Sequence, residues 1–285
     1  MSMKQILAAV IAVAALINAV SYWIALAKWS LGGENGAELV SASWSKPTSD
    51  VAVYLIAGCG NQPEQAFEFV QSDLKDYNVI YVKYRPDRGC DMKLIADQVV
   101  EDIEANSYQN VLVVGCSIGD YVGRVCEAEL GDRVHTIAVN PEPDSSLLKT
   151  WAKVATRVGV PLGRLLTLVM GWGSQWQLYS DCGNTFSANF MVSQFWQIGT
   201  CHDAPRVSDN LLGIIIAEAD ENGKGEDEFL QGREAMQDYF GSDVEIYSAT
   251  GVGHGNTVKG ATAYKAAWDE LWKVAKPIVE RGRWR

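Results

Sequence analysis

The residues able to do acid–base chemistry in this chain are few, and one serine stands in an unusual place. The stretch Val111 to Gly123, VLVVGCSIGDYVG, runs apolar and β-branched, turns through Gly115-Cys116-Ser117-Ile118-Gly119, and continues with helical spacing. Glycines on both sides let such a turn tighten until the Ser117 hydroxyl stands clear of the strand. A serine hydroxyl is a poor nucleophile at neutral pH. It needs a base to take its proton and a carboxylate to hold that base in the right tautomer. The histidines are His135, His202 and His254. His254, in TGVGHGNT after the last apolar strand, is flanked by Gly253 and Gly255 and reads as the base. His135 opens a strand and reads as structural; His202, in TCHDAP, falls in an insertion. Among Glu218, Asp220 and Glu221, which follow the strand GIIIA, Asp220 is the expected orienting acid, and Glu218 and Glu221 read as loop charges. Cys116 would be a stronger nucleophile, but the turn projects its middle residue, so Cys116 is expected to face the interior. Asp120, opening the helix, reads first as a carboxylate favoured by the helix dipole.

These residues are carried by an alternation of apolar runs with amphipathic segments, the pattern of a mostly parallel sheet covered by helices. Strands are expected at 51–57, 79–83, 111–115, 134–139, 211–217 and 244–249, with an edge strand at 39–44. Helices are expected at 63–77, 94–106, 118–130, 226–240 and 261–279. The spacing divides the chain into an N-terminal segment (1–30), a core (31–140 and 211–285) and an insertion (141–210). The insertion is poor in charge, carries Trp151, Trp172, Trp176 and Trp196, and reads as a mainly helical cap, since segments of that length within compact domains usually have structure or a function of their own.

The chain has 285 residues with 24 Lys and Arg against 35 Asp and Glu, a net charge of −11. A balance so acidic repels phosphate backbones and argues against a nucleic-acid partner. Residues 6–27, ILAAVIAVAALINAVSYWIALA, carry no charge, and as a helix would cross a hydrocarbon layer of roughly 30 Å. They are expected to be a membrane anchor or a signal peptide, with Tyr22 and Trp23 at the boundary and Ala25-Leu26-Ala27 as a possible cleavage site. Either way the domain would lie outside the cytoplasm, anchored or secreted. The six cysteines form no Cys-x-x-Cys pair, which argues against a metal site. In an exported domain, Cys59 with Cys90 and Cys182 with Cys201 are the pairings to test, against the alternative of small buried thiols.

The order Ser117, Asp220, His254, with a nucleophile elbow at Gly115 to Gly119 and a cap inserted after the next strand, resembles the α/β-hydrolase family from Val51 to the C-terminal helix. That resemblance implies an α/β fold and a serine hydrolase that cleaves a carboxylic ester, of an apolar acyl group given the cap, without metal or organic cofactor. Acyl transfer, a thioesterase on the same triad, or a catalytically silent binding protein of the same fold are the alternatives. The resemblance places the oxyanion donors at the N–H of Ile118 and in the loop LIAGCGN, at Cys59 or, as the alternative, Gly60. This loop has Ala57-Gly58 where many members carry His-Gly.

Overall fold

The computed structural model describes residues 37–85, 91–142, 210–219, 232–254 and 257–281, with isolated positions at 4–20 and 150–194. Seven strands form one sheet: β1 (Ala37–Ser41), β2 (Val51–Ile56), β3 (Asn78–Tyr84), β4 (Asn110–Cys116), β5 (Val134–Val139), β8 (Leu211–Ala217) and β9 (Ile246–Ala249). They lie in the order β1-β3-β2-β4-β5-β8-β9. Every neighbouring pair is parallel except β1, which runs antiparallel along the edge on β3. Helices cover both faces of such a sheet, so its strands are buried on both sides and are apolar throughout rather than alternating. VAVYLI of β2 and VHTIAV of β5 are buried at every position, including His135, which is a β5 residue at 3% exposure.

The helices are α1 (Pro63–Ala66), α2 (Gln71–Leu74), α3 (Met92–Ala105), α4 (Asp120–Leu130), α5 (Arg233–Phe240) and α6 (Ala261–Arg281). The single helix expected over 63–77 is broken into α1, a 3₁₀ turn at Glu68–Val70, and α2. The cause is a run of apolar residues: Phe67, Phe69 and Val70 are all buried, and a straight helix points neighbouring residues in different directions. Phe69 packs on Tyr264 and Trp268 of α6, with ring centroids 5.8 and 6.2 Å apart. α3 begins two residues before the expected start because the Asp91 side chain caps it, accepting from the N–H groups of Lys93 and Leu94. α5 begins at Arg233, and residues 226–231 of the helix expected there lie outside the described residues.

Two expectations are corrected. Among the described residues no helix is long and apolar enough to cross a membrane. The expected membrane anchor is therefore overturned, and with it the membrane as a partner and the placement of the domain by an anchor. Cys59 keeps its thiol, as do the buried Cys116 and Cys126, so the Cys59–Cys90 bridge is not formed; Cys182 and Cys201 lie outside the described residues. Most of the insertion does too, including its four tryptophans. Within it the structure describes an antiparallel pair that the mainly helical reading did not include, β6 (Gln177–Tyr179) on β7 (Thr185–Ser187).

Candidate active site

The site lies at the C-terminal ends of the parallel strands, where ligands of open α/β sheets gather. At the end of β4, a single 3₁₀ turn, Ser117–Gly119, leads into α4. Ser117 has φ +52°, a left-handed conformation that costs a non-glycine residue about 1–3 kcal/mol and persists only where its surroundings impose it. The surroundings here are close backbone. A Cβ on Gly115 would stand 2.6 Å from the amide nitrogen of Asp120, and one on Gly119 would collide with the Ile56 carbonyl oxygen. The two glycines thus allow the turn to double back against β2 with its serine at the apex. Cys116 is buried at 1% exposure, as expected of its position in the turn.

The structure brings Ser117 and His254 together: Oγ lies 3.4 Å from Nε2. Two sets of bonds hold the loop that carries the imidazole. In the first, the Gly251 N–H donates to Glu218 Oε2 at 2.6 Å and the Ala219 N–H to the Val252 carbonyl at 3.3 Å. Glu218 is therefore a loop fastener rather than a solvated charge. The second centres on Asn140, at the end of β5, which has φ +46° and is fully buried. Its Oδ1 accepts from the Ala217 N–H at 2.7 Å, and its Nδ2 donates to the Tyr264 hydroxyl at 2.6 Å. That hydroxyl donates in turn to the carbonyl of Gly253, at 3.4 Å, one residue before the base. Asn140 escaped the sequence reading; its signal is an Asn closing an apolar strand, a residue type tolerant of positive φ.

Glu142, also missed, lies two residues further on. Its side chain is 2% exposed, and its Oε1 is 3.2 Å from His254 Nε2, while its N–H donates to the Ser117 carbonyl at 3.4 Å. The only available sign was a carboxylate just past the C-terminal end of a central strand. Nε2 thus faces both Ser117 and Glu142. An imidazole with its proton on Nε2 would donate to Glu142; only the Nδ1–H tautomer leaves Nε2 able to take the serine proton. Holding that tautomer needs an acceptor at Nδ1. Asp220, the expected acid, and His202 both lie outside the described residues.

The loop after β2 runs against the serine, since a Cβ on Gly58 would stand 2.9 Å from Ser117 Cβ. Of the two loop amides weighed as oxyanion donors, that of Gly60 is engaged: it donates to Oε1 of Gln194, a fully buried residue of the insertion, at 2.9 Å. Ile118 is the second residue of the 3₁₀ turn, so its N–H has no acceptor within that turn. Asp120 stands in the first turn of α4 as expected, and there it is 1% exposed and paired with Arg124 Nε at 2.9 Å. Burial pushes its carboxyl above the ordinary value, and the adjacent Arg124 only partly offsets this.

No family model and no curated protein sequence matches the chain. Solved structures do. A lipase-esterase related protein from Clostridium acetobutylicum is 15% identical, with a TM-score of 0.56 over 84% of this chain and 100% of its own. A carboxylesterase of the thaumarchaeon Nitrososphaera gargenis is 16% identical, with a TM-score of 0.55 over 86% and 98%. The type II thioesterase of the borrelidin biosynthetic cluster is 13% identical, with a TM-score of 0.52 over 82% and 96%. Identities this low speak to architecture alone, and the architecture they share with this chain is the α/β-hydrolase fold.

Proposed function

We propose that the protein is a serine hydrolase that cleaves a carboxylic ester of an apolar acyl group through an acyl-enzyme. One observation carries this reading: a serine held at φ +52° on the apex of the turn after β4, with its Oγ 3.4 Å from the Nε2 of His254. Ser117 Oγ bonds to the ester carbonyl carbon as its proton passes to Nε2. The oxyanion is held by the amides of Ile118 and Cys59, a choice supported by the engagement of the Gly60 amide with Gln194. The imidazolium then returns the proton to the departing alkoxide, and water, activated by the same Nε2, releases the acid. Asp220 holds Nδ1–H and stabilises the imidazolium. The fastening of Glu218 and Ala219 to the loop of His254 supports this role, because Asp220 is the next residue in the chain. The esterase and thioesterase neighbours fit ester or thioester substrates.

The test is turnover of 4-nitrophenyl hexanoate by the full chain. The wild type should release nitrophenol catalytically, and Ser117→Ala should lose at least about 10³-fold in kcat. Equal rates for the two proteins would overturn the assignment.

A further inference from the structure

Glu142 has a feature that the triad leaves unused. The carboxylate is 2% exposed and His254 engages Oε1, yet among the described residues Oε2 is buried with no hydrogen-bond partner. A buried carboxylate oxygen without a donor is costly, and such groups are ordinarily matched. The position of the carboxylate says which part of a substrate would match it. Nε2 hands its proton to the departing alcohol, so a group 3.2 Å from Nε2 stands beside the alcohol half of the ester rather than the acyl half. The complement to a buried anion is a cation with an N–H to donate, and the net charge of −11 favours the approach of such a molecule.

Resting on the serine-hydrolase reading above, we propose that Glu142 is a specificity-determining residue that selects esters whose leaving alcohol carries a protonated amine, bound at Oε2. An ammonium there also draws Glu142 away from the Nε2 proton, which favours the tautomer able to accept from Ser117.

The experiment uses two hexanoate esters of nearly the same shape: that of 2-(dimethylammonio)ethanol, with one N–H, and that of 3-methylbutanol, with a C–H in its place. The wild type should favour the cationic ester by at least about tenfold in kcat/KM, in line with a hydrogen bond to a charged group. Glu142→Gln, which keeps the size and loses the charge, should bring the ratio to within about threefold of unity. Labelling of Ser117 by a fluorophosphonate in the variant checks that it is folded and has an activated serine. A wild-type ratio near unity, or a preference that survives Glu142→Gln, overturns the proposal. So does an equal loss on both esters, which would mean that Glu142 acts through the triad. A wild type that neither labels nor hydrolyses either ester would instead defeat the serine-hydrolase reading.

Discussion

At the scale of single residues, Asp220 and Glu218 have different work in the proposed mechanism. Asp220→Asn should be severe, about 10⁴-fold in kcat, because an amide at Nδ1 permits the wrong imidazole tautomer. Glu218→Gln should cost less than about tenfold, since an amide oxygen can still accept from the Gly251 N–H. Steady-state kinetics of both variants decides the matter: a dead Glu218→Gln beside a nearly normal Asp220→Asn would reverse the assignment. Ser117 and His254 were legible in the sequence because a serine between glycines at a strand end, and a histidine after the last strand, mark themselves by type and position. Asn140, Glu142 and Gln194 were not. Each meets the site through a contact across the fold, such as the Gln194 bond to Gly60, 134 positions away, and nothing in a local window encodes that.

At the scale of elements, the loops that carry Ser117 and His254 depend on what lies beneath them. Asn140→Ala would leave the buried Ala217 N–H without its acceptor and place alanine at φ +46°. The expected loss is about 3 kcal/mol, from one orphaned donor and one strained residue. Tyr264→Phe, which keeps the ring in the core but removes the hydroxyl that accepts from Asn140 Nδ2 and donates to the Gly253 carbonyl, should cost about 1–3 kcal/mol. Urea unfolding measures both, and equal stability in all three proteins would show that the Asn140 network bears no weight. A second test concerns the pair behind the serine. Arg124 is what holds the buried Asp120 carboxyl down, so Arg124→Ala should raise it further. A carboxyl raised in the folded state binds its proton more tightly there than in the unfolded chain. Its contribution therefore favours folding below about pH 3.9 and is lost as pH rises through the folded value. Arg124→Ala should then lose more stability than the wild type as pH rises above about 3.9, and a parallel pair of pH profiles would contradict this. The strands of the sheet were readable from sequence to within a residue or two at most ends, since burial on both faces writes them as unbroken apolar runs. The breaks in the segment 63–74 were not readable, because α6, some 200 positions later, decides which of Phe67, Phe69 and Val70 turn inward.

At the scale of the whole molecule, the sheet presents Ser117 and His254 at one end, and the insertion follows β5 in the chain. Its four tryptophans and sparse charge are the sequence features behind the proposed apolar acyl pocket. Each methylene buried there would add about 0.8 kcal/mol, close to fourfold in affinity. Across acetyl, butyryl, hexanoyl and decanoyl esters of one chromophoric alcohol, kcat/KM should rise until the pocket is filled; a steady decline from acetyl onward would sink the apolar-pocket reading. The N-terminal segment shows the limit of composition. An uncharged run long enough to span a bilayer raises the expectation of an anchor, yet among the described residues no helix is long and apolar enough to cross a membrane. The central claim, that Ser117 is an activated nucleophile, is tested most directly by incubating the full chain with a fluorophosphonate and locating the adduct by peptide mass spectrometry. The account predicts one phosphonylated residue, Ser117, with labelling abolished in Ser117→Ala and slowed by at least about 10³-fold in His254→Ala. An unlabelled wild type, or labelling of Ser117 at the same rate with and without His254, would contradict it.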